Sequence, residues 1–309
     1  MVTGDPARQA QAAAAFPAAA VLSDARLLWD QAASYDLVVV AAPNRAHVPL
    51  GLAALEAGLP VVIDKPLAAS SEDGRRLDAA ARERGLMLAV FHNRRWDGDM
   101  RTVQRLLSEG ALGEVLRFES RFERWRPERA ADAWRERADP AEAGGILFDL
   151  GSHLVDQALV LFGPADDVYA EVDRRRPGAL VGDDVFIALR HASGVRSHLW
   201  MSHLAAQQGP RMRVLGTEAA YVKWGLDPQE EALRAGARPG DTGWGREPRE
   251  SWGLLGAGDE ARPVETEAGA YQCFYEGVAA ALREDKPAPV TAEEAIAGLE
   301  ILEAALEVR

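Results

Sequence analysis

Residues 60–66 read PVVIDKP. Three consecutive apolar residues, Val61, Val62 and Ile63, leave neither face of an extended strand polar, as in a parallel strand covered on both sides. A carboxylate, an ammonium and a proline then end the run, and the proline frees the chain from the ladder. DLVVVAAP at 36–43 and LMLAVFH at 86–92 repeat the pattern. Between them, residues 46–57 carry Val48, Leu52 and Leu55 on one helical side and stop at Gly58, while Ser70 with Asp73 resembles a capping box opening a helix over 71–84. This alternation predicts a parallel sheet flanked by helices. Ligands of such sheets bind beyond the carboxyl ends of the strands, where AAPN (41–44), Lys65 and HNRRW (92–96) all arrive. Lys65 is one of only three lysines among 35 basic residues. A chain that otherwise writes arginine has a reason for lysine here, because a lysine can hold or pass a proton.

From Glu114 the pattern changes. EVLRFESRFERW (114–125) alternates apolar and charged residues, as a strand with one face in water does. Further strands are expected at 167–173, 183–191, 195–203 and 211–216, with helices at about 146–162, 270–284 and 291–307. No helix separates those later strands, so the second sheet should be mainly antiparallel. The stretch 226–262, rich in Gly, Pro and Arg, reads as a long irregular excursion. Two domains follow, over 1–113 and 114–309, the second with an open sheet whose uncovered face suits contact between copies of the chain.

A net charge of -13 repels phosphate backbones and anionic lipid, so neither nucleic acid nor membrane is an expected partner. No run of about 18 apolar residues supports a membrane span. The single cysteine, Cys273, makes no internal disulfide and points to a reducing compartment, which places the protein in the cytoplasm.

GGILFDLGSHLVDQ, residues 144–157, is the strongest chemical signal. On a helix opening after Gly145, Asp149, His153 and Asp156 share a face at i, i+4 and i+7, opposite Leu147, Leu150, Leu154 and Leu161. Asp149 and His153 at that spacing are equally an ordinary helical ion pair. The spacing of zinc ligands is missing, and no metal is expected.

In order and spacing, AAPNRAH, DKPLA, HNRRWDGD, EVLRFESRFERWRPE and GGILFDLGSHLVDQ resemble the Gfo/Idh/MocA family of nicotinamide-dependent oxidoreductases. That family pairs a Rossmann domain with an α/β domain built on an open antiparallel sheet. DKP in place of EKP, with HNRRWD and FERWRPE, is most similar to the branch containing NADP-dependent scyllo-inositol 2-dehydrogenases. The resemblance implies a hydride transfer between nicotinamide and a secondary alcohol of a cyclic polyol or sugar. It makes Lys65 the lysine that reaches nicotinamide ribose and substrate, and Asp149 and His153 the substrate-facing pair. It places Ala42, Pro43, Asn44, His47, Asp64 and Asn93 beside the cofactor, and Arg94 and Trp125 beside the substrate. In this reading His153 exchanges the hydroxyl proton, Lys65 holds the oxygen, and Asp149 fixes the imidazole tautomer.

The departure is at the start. Val2-Thr3 reads as the end of a strand and Asp5-Pro6 as a helix cap, yet nowhere in the first 60 residues does a strand lead into G-x-G-x-x-G, the turn that cradles a dinucleotide pyrophosphate. The expected parallel sheet therefore lacks its first strand. Thr3 and Arg8 suit the 2′-phosphate of NADP, whereas Asp5 would suit NAD. The enzyme is expected to be a dimer or tetramer; the alternative is a non-catalytic or cofactor-deficient relative acting as a sugar-binding or dimerising scaffold.

Overall fold

Structure is described for residues 1–129 and 134–307 of a computed structural model. Asp5 opens helix α1 (Pro6–Ala15) by accepting from the Ala7 amide at 2.8 Å, with proline at the first helical position. Val2 meets Leu22 in an isolated parallel bridge, and a short helix α2 (Arg26–Trp29) follows. The parallel sheet is then made by β1 (Val38–Val40), β2 (Val61–Asp64) and β3 (Leu88–Phe91), in that order. Helices α3 (His47–Glu56) and α4 (Ser71–Arg84) are the crossovers. Ser70 Oγ accepts from the Asp73 amide at 3.1 Å, and Gly85 ends α4 in the left-handed region at φ +63°.

Val61, Val62 and Ile63 are fully buried, as a run apolar on both faces requires. Strand β1 departs from that expectation: Val38 and Val40 are buried, but Val39 is 47% exposed. Among the described residues β1 is an edge strand, and only one of its faces is covered. A helix absent from the sequence reading, α5 (Gly98–Ser108), leads out of this layer.

The second layer begins with β4 (Val115–Glu123) and helix α6 (Ser152–Phe162). It continues through β5 (Ala165–Asp173), β6 (Asp184–His191), β7 (Arg196–Ser202), β8 (Met212–Gly216) and β9 (Ala220–Lys223). The excursion expected to be irregular contains helix α7 (Gln229–Arg234) and strands β10 (Gly253–Gly256) and β11 (Arg262–Val264). Its glycines misled the reading because one serves packing: a Cβ on Gly253 would sit 2.4 Å from the Tyr221 ring. The eight strands run in the order β11-β10-β9-β8-β4-β7-β6-β5, antiparallel except between β4 and β7.

Helices α8 (Gln272–Glu284) and α9 (Ala292–Glu307) close the chain. Just before α9, the Val290 carbonyl accepts from the Val90 amide at 3.1 Å, so the C-terminal segment extends the first sheet beside β3. Glu303 Oε1 then accepts from the Ser71 amide at 2.7 Å, fixing α9 on the start of α4. The stretch 140–162 is long and apolar enough to cross a membrane by composition, and 78% of its most apolar window is buried in the fold, as in a core helix.

Candidate active site

Three turns leave the carboxyl edge of the parallel sheet. His47 joins the first two, its Nδ1 lying 2.8 Å from the Pro66 carbonyl oxygen and its Nε2 2.9 Å from that of Ala42. Asn44, buried after Pro43, donates to the Glu142 carbonyl at 2.9 Å, and Asp64 Oδ1 accepts from the Lys65 amide at 2.9 Å. The third turn carries His92, buried, and Asn93, half-buried.

Lys65 crosses from this edge to the start of α6. Its Nζ donates to the Asp149 carbonyl at 2.5 Å and to Asp149 Oδ1 at 3.1 Å, and Arg135 Nε donates to the same oxygen at 3.1 Å. Burial alone would raise the Asp149 carboxyl, but the Lys65 and Arg135 charges hold it below the usual range. Ala42, Asn44, Asp64, Lys65, Trp134 and Asp149 surround a polar cleft of about 50 Å³.

One expected partnership is corrected. Asp149 does not fix the His153 imidazole, because its carboxylate is held by Lys65 and Arg135. The physical reason lies in the helix start. Leu147–Gly151 form a π turn, whose i to i+5 bonding alters the angle between residues 149 and 153 from that of an α-helix. Gly145 at φ +89° admits the chain to this turn, and at Gly151 a Cβ would meet Met201 Sδ at 3.1 Å. Asp156 is also engaged elsewhere, by Arg95 through both carboxylate oxygens at 2.6 to 3.2 Å.

His153 stands against the edges of two rings, His92 at 6.3 Å and Phe122 at 6.2 Å between centroids. Its Nδ1 is enclosed without a hydrogen-bond partner, and the residue as a whole is buried. Burial, then the charges of Lys65 and Arg94, push its pKa well below the ordinary value, so the ring is neutral near pH 7.

Arg94 turns into the protein rather than the cleft. Its guanidinium lies 4.7 Å over the Phe122 ring and pairs with Asp97 at 3.3 Å and Glu230 at 3.0 Å. Arg211 lies 4.4 Å from the same ring and pairs with Asp99 at 3.4 Å and with Gln157 Oε1 at 2.9 Å. Burial, aided by Asp99 and Asp227, pushes the Asp97 carboxyl up to about 8, and Tyr271 donates to it at 2.7 Å.

Trp125 is 57% exposed and its backbone bridges Leu204; Trp134 lines the cleft instead. Thr3 donates its amide to the Leu22 carbonyl, and Arg8 is exposed, 3.7 Å from Asp5. Neither borders the cleft. Arg135, Phe122, Arg211 and Glu230 complete the site's surroundings. Of these, only Phe122 had a sequence signal, its place on an alternating strand. Among the described residues no group of three His, Cys, Asp or Glu side chains stands ready to hold a metal.

The residues present fit the nicotinamide end of a dinucleotide: a polar cleft at the carboxyl edge of parallel strands with an ammonium in its lining; the His153 imidazole, whose Nδ1 has no protein partner, is enclosed and is not among the residues that line it.

Comparison with known proteins agrees with this layout. Residues 1–92 match the family described as oxidoreductase family, NAD-binding Rossmann fold, and residues 100–222 match the GFO/IDH/MocA C-terminal domain. The uncharacterized oxidoreductase YdgJ of Escherichia coli is 41% identical over 94% of this chain and 84% of its own. The scyllo-inositol 2-dehydrogenase (NADP(+)) IolW of Bacillus subtilis is 37% identical over 94% of this chain and 81% of its own. The solved structure of YPO2259 from Yersinia pestis superposes with a TM-score of 0.89 at 39% identity, covering 97% of this chain and 84% of that one.

Proposed function

The chain belongs to the Gfo/Idh/MocA oxidoreductase family, and on that premise we propose that it transfers a hydride between nicotinamide and a secondary alcohol of a cyclic polyol or sugar of the inositol type. The observation that carries this reading is the reach of Lys65, whose ammonium lines the cleft and hydrogen-bonds the carbonyl and carboxylate of residue 149, four residues ahead of His153. In this reading the ammonium and the neutral His153 imidazole act on one ligand.

Oxidised nicotinamide, when bound, supplies the hydride acceptor. Ala42, Pro43, Asn44, Asp64, Lys65 and Asn93 are the residues that would hold its reacting end, with His47 bracing the turns of Ala42 and Pro66. His153 Nε2 accepts the hydroxyl proton, which an imidazole does only while neutral. Lys65 stabilises the oxygen as its proton leaves. Asp149 and Arg135 act on Lys65 rather than on the imidazole, keeping the ammonium at the cleft. Arg94 packs on the Phe122 ring, which stands against His153, and Trp134 supplies an apolar wall for a ring.

The NADP-dependent relative and the place of Thr3 and Arg8 ahead of the first sheet favour NADP, with NAD as the alternative. The exposed sheet face carrying Tyr169, Phe186, His198 and Trp200 suits pairing of two chains, for which sedimentation is the measure. Fluorescence titration with NADPH and with NADH, followed by assay of NADP+ reduction across a panel of inositols and aldoses, tests the function. Saturable NADPH binding with turnover of a cyclic polyol is expected. Absence of both would leave the non-catalytic scaffold.

A further inference from the structure

Two buried histidines face each other in the site, and the proposed chemistry uses only one. His92 is 4% exposed, and its Nδ1 is enclosed without a protein partner; the nearest carboxylate oxygen, Asp156 Oδ2, is 3.8 Å away, too far for a hydrogen bond. The hydroxyl of Ser152, on the first residue of α6, is likewise enclosed and unpartnered. Both residues line the same void of about 10 Å³, together with Asp156, Glu294 and Pro66. A cavity of about 10–15 Å³ holds one water, which needs two to four polar partners. His92 Nδ1, Ser152 Oγ and the Asp156 carboxylate supply them.

We infer that one water occupies this void and that His92, through it, carries the substrate's proton from the cleft to the surface. The inference rests on the proposed dehydrogenase reading. It is argued from a difference between the two rings. Oxidation of an alcohol releases one proton, and His153, having taken it at Nε2, has no polar neighbour at Nδ1 to receive another. The proton must leave again from Nε2, and the His92 ring stands edge-on at 6.3 Å between centroids, too far for a direct hydrogen bond. A second water spans that gap, taking the proton from His153 Nε2 and giving one to His92 Nε2, and His92 gives the one on Nδ1 to the enclosed water. The water passes one to Asp156 or Glu294, and Glu294, with its side chain 46% exposed, meets solvent. No bond other than N–H and O–H changes, and the charge leaves as one proton.

The charged and titratable groups facing His92 suit a relay. Asp156 and Asp64 favour its protonated form, Arg95, Lys65 and His153 oppose it, and burial keeps it neutral at rest. Arg95 bridges Asp156 to Glu294 Oε1 at 3.0 Å, so the outlet is a continuous polar path. Ser152 is a positioning residue here, whereas Asp156 takes the proton from the water on its way out; neither lines the cleft.

Two measurements test the inference. A high-resolution crystal structure of the wild-type protein should show a water within hydrogen-bond reach of His92 Nδ1 and Ser152 Oγ; a dry void overturns the proposal, whatever the activity. His92→Gln keeps a polar group at the void but passes no proton. It should fold, bind NADPH and polyol as wild type does, and lose about tenfold or more in kcat, with a larger solvent isotope effect and recovery in added imidazole. His92→Phe should show the same loss and the same recovery. Wild-type kcat in both variants, or a loss that imidazole does not restore, overturns the relay. If His153→Asn retains activity, the proposed function fails instead; an inactive His153→Asn beside fully active His92 variants sinks the relay alone.

Discussion

Lys65 and Arg94 each leave the same sheet edge and bring a cation towards His153, yet their surroundings are opposite. At the Lys65 end two cations share one carboxylate, with side chains of Lys65, Asp149 and Arg135 that are 13%, 25% and 53% exposed. Both cations act on that one carboxylate, and the Asp149 carboxyl falls. At the Arg94 end both guanidiniums flank Phe122 and are almost fully enclosed, and the acids Asp97, Asp99 and Asp227 crowd together. Burial and mutual repulsion there raise Asp97. The first end is accessible and holds a charge ready for a ligand. The second is closed, and its charges are spent on one another and on the position of a ring. Lys65 should therefore matter to rate and Arg211 to stability.

Lys65→Met is the strongest test of that division. Methionine fills the space of the lysine stem, and Asp149 keeps Arg135 as a partner, so no buried charge is stranded. Turnover should fall by about 10²–10⁴, with an unchanged melting temperature and circular dichroism. A variant with near-normal kcat would remove Lys65 from the chemistry.

Arg211→Met should do the reverse. Among the described residues no other cation pairs with Asp99 Oδ2, and Ser120 and Gln157 lose their donor. Stranding a buried charge costs about 3–5 kcal/mol, read as a lower denaturation midpoint in urea. A midpoint like that of wild type would mean that the enclosed cluster is not load-sharing and that the contrast is false.

The pH dependence sharpens the same contrast from the His153 side. Because burial and then Lys65 lower its pKa, His153 should remain an acceptor as pH drops through about 6.5, and kcat/KM for oxidation should bend down only at lower pH. An acid limb at or above about 6.5 would assign it to an unperturbed group. Stability follows the same sign. For His92 and His153 the folded value lies below the unfolded one, so their contribution is full above about 6.5 and is lost as pH falls towards the folded values. Melting temperature measured against pH should decline over that window.

What was legible in the sequence follows from how local each signal is. PVVIDKP and the cap at Ser70 depend on neighbours in the chain, and β2 and α4 lie where those residues place them. The convergence of strand ends followed from topology. Asp149 and His153 were found as a pair, but their pairing was drawn from helical spacing, which a π turn changes without any signature in composition. Arg211 and Glu230 were invisible because their meaning comes from Phe122 and Arg94, more than 80 residues away in the chain. Gly253 was read as a loop glycine because a packing glycine and a turn glycine are written alike.

The smallest expected effect separates two tryptophans, Trp125, expected beside the substrate, and Trp134, which lines the cleft. Trp125 follows directly on the strand register of β4 and is 57% exposed; Trp134 borders the cleft, and the Arg135 guanidinium lies 4.3 Å over its ring. Removing Trp134 therefore takes away a wall of the cleft and loosens the arginine that helps hold Asp149. A cation–π contact at a partly exposed site is worth about 0.5–1 kcal/mol, so Trp134→Ala should raise KM for the polyol a few-fold and leave NADPH affinity unchanged. Trp125→Ala should change neither constant, because its ring lines no part of the cleft around Lys65. If the two substitutions exchange these effects, the sugar ring lies over β4 and the open end of the site extends further from Lys65 than the cleft around Asp149.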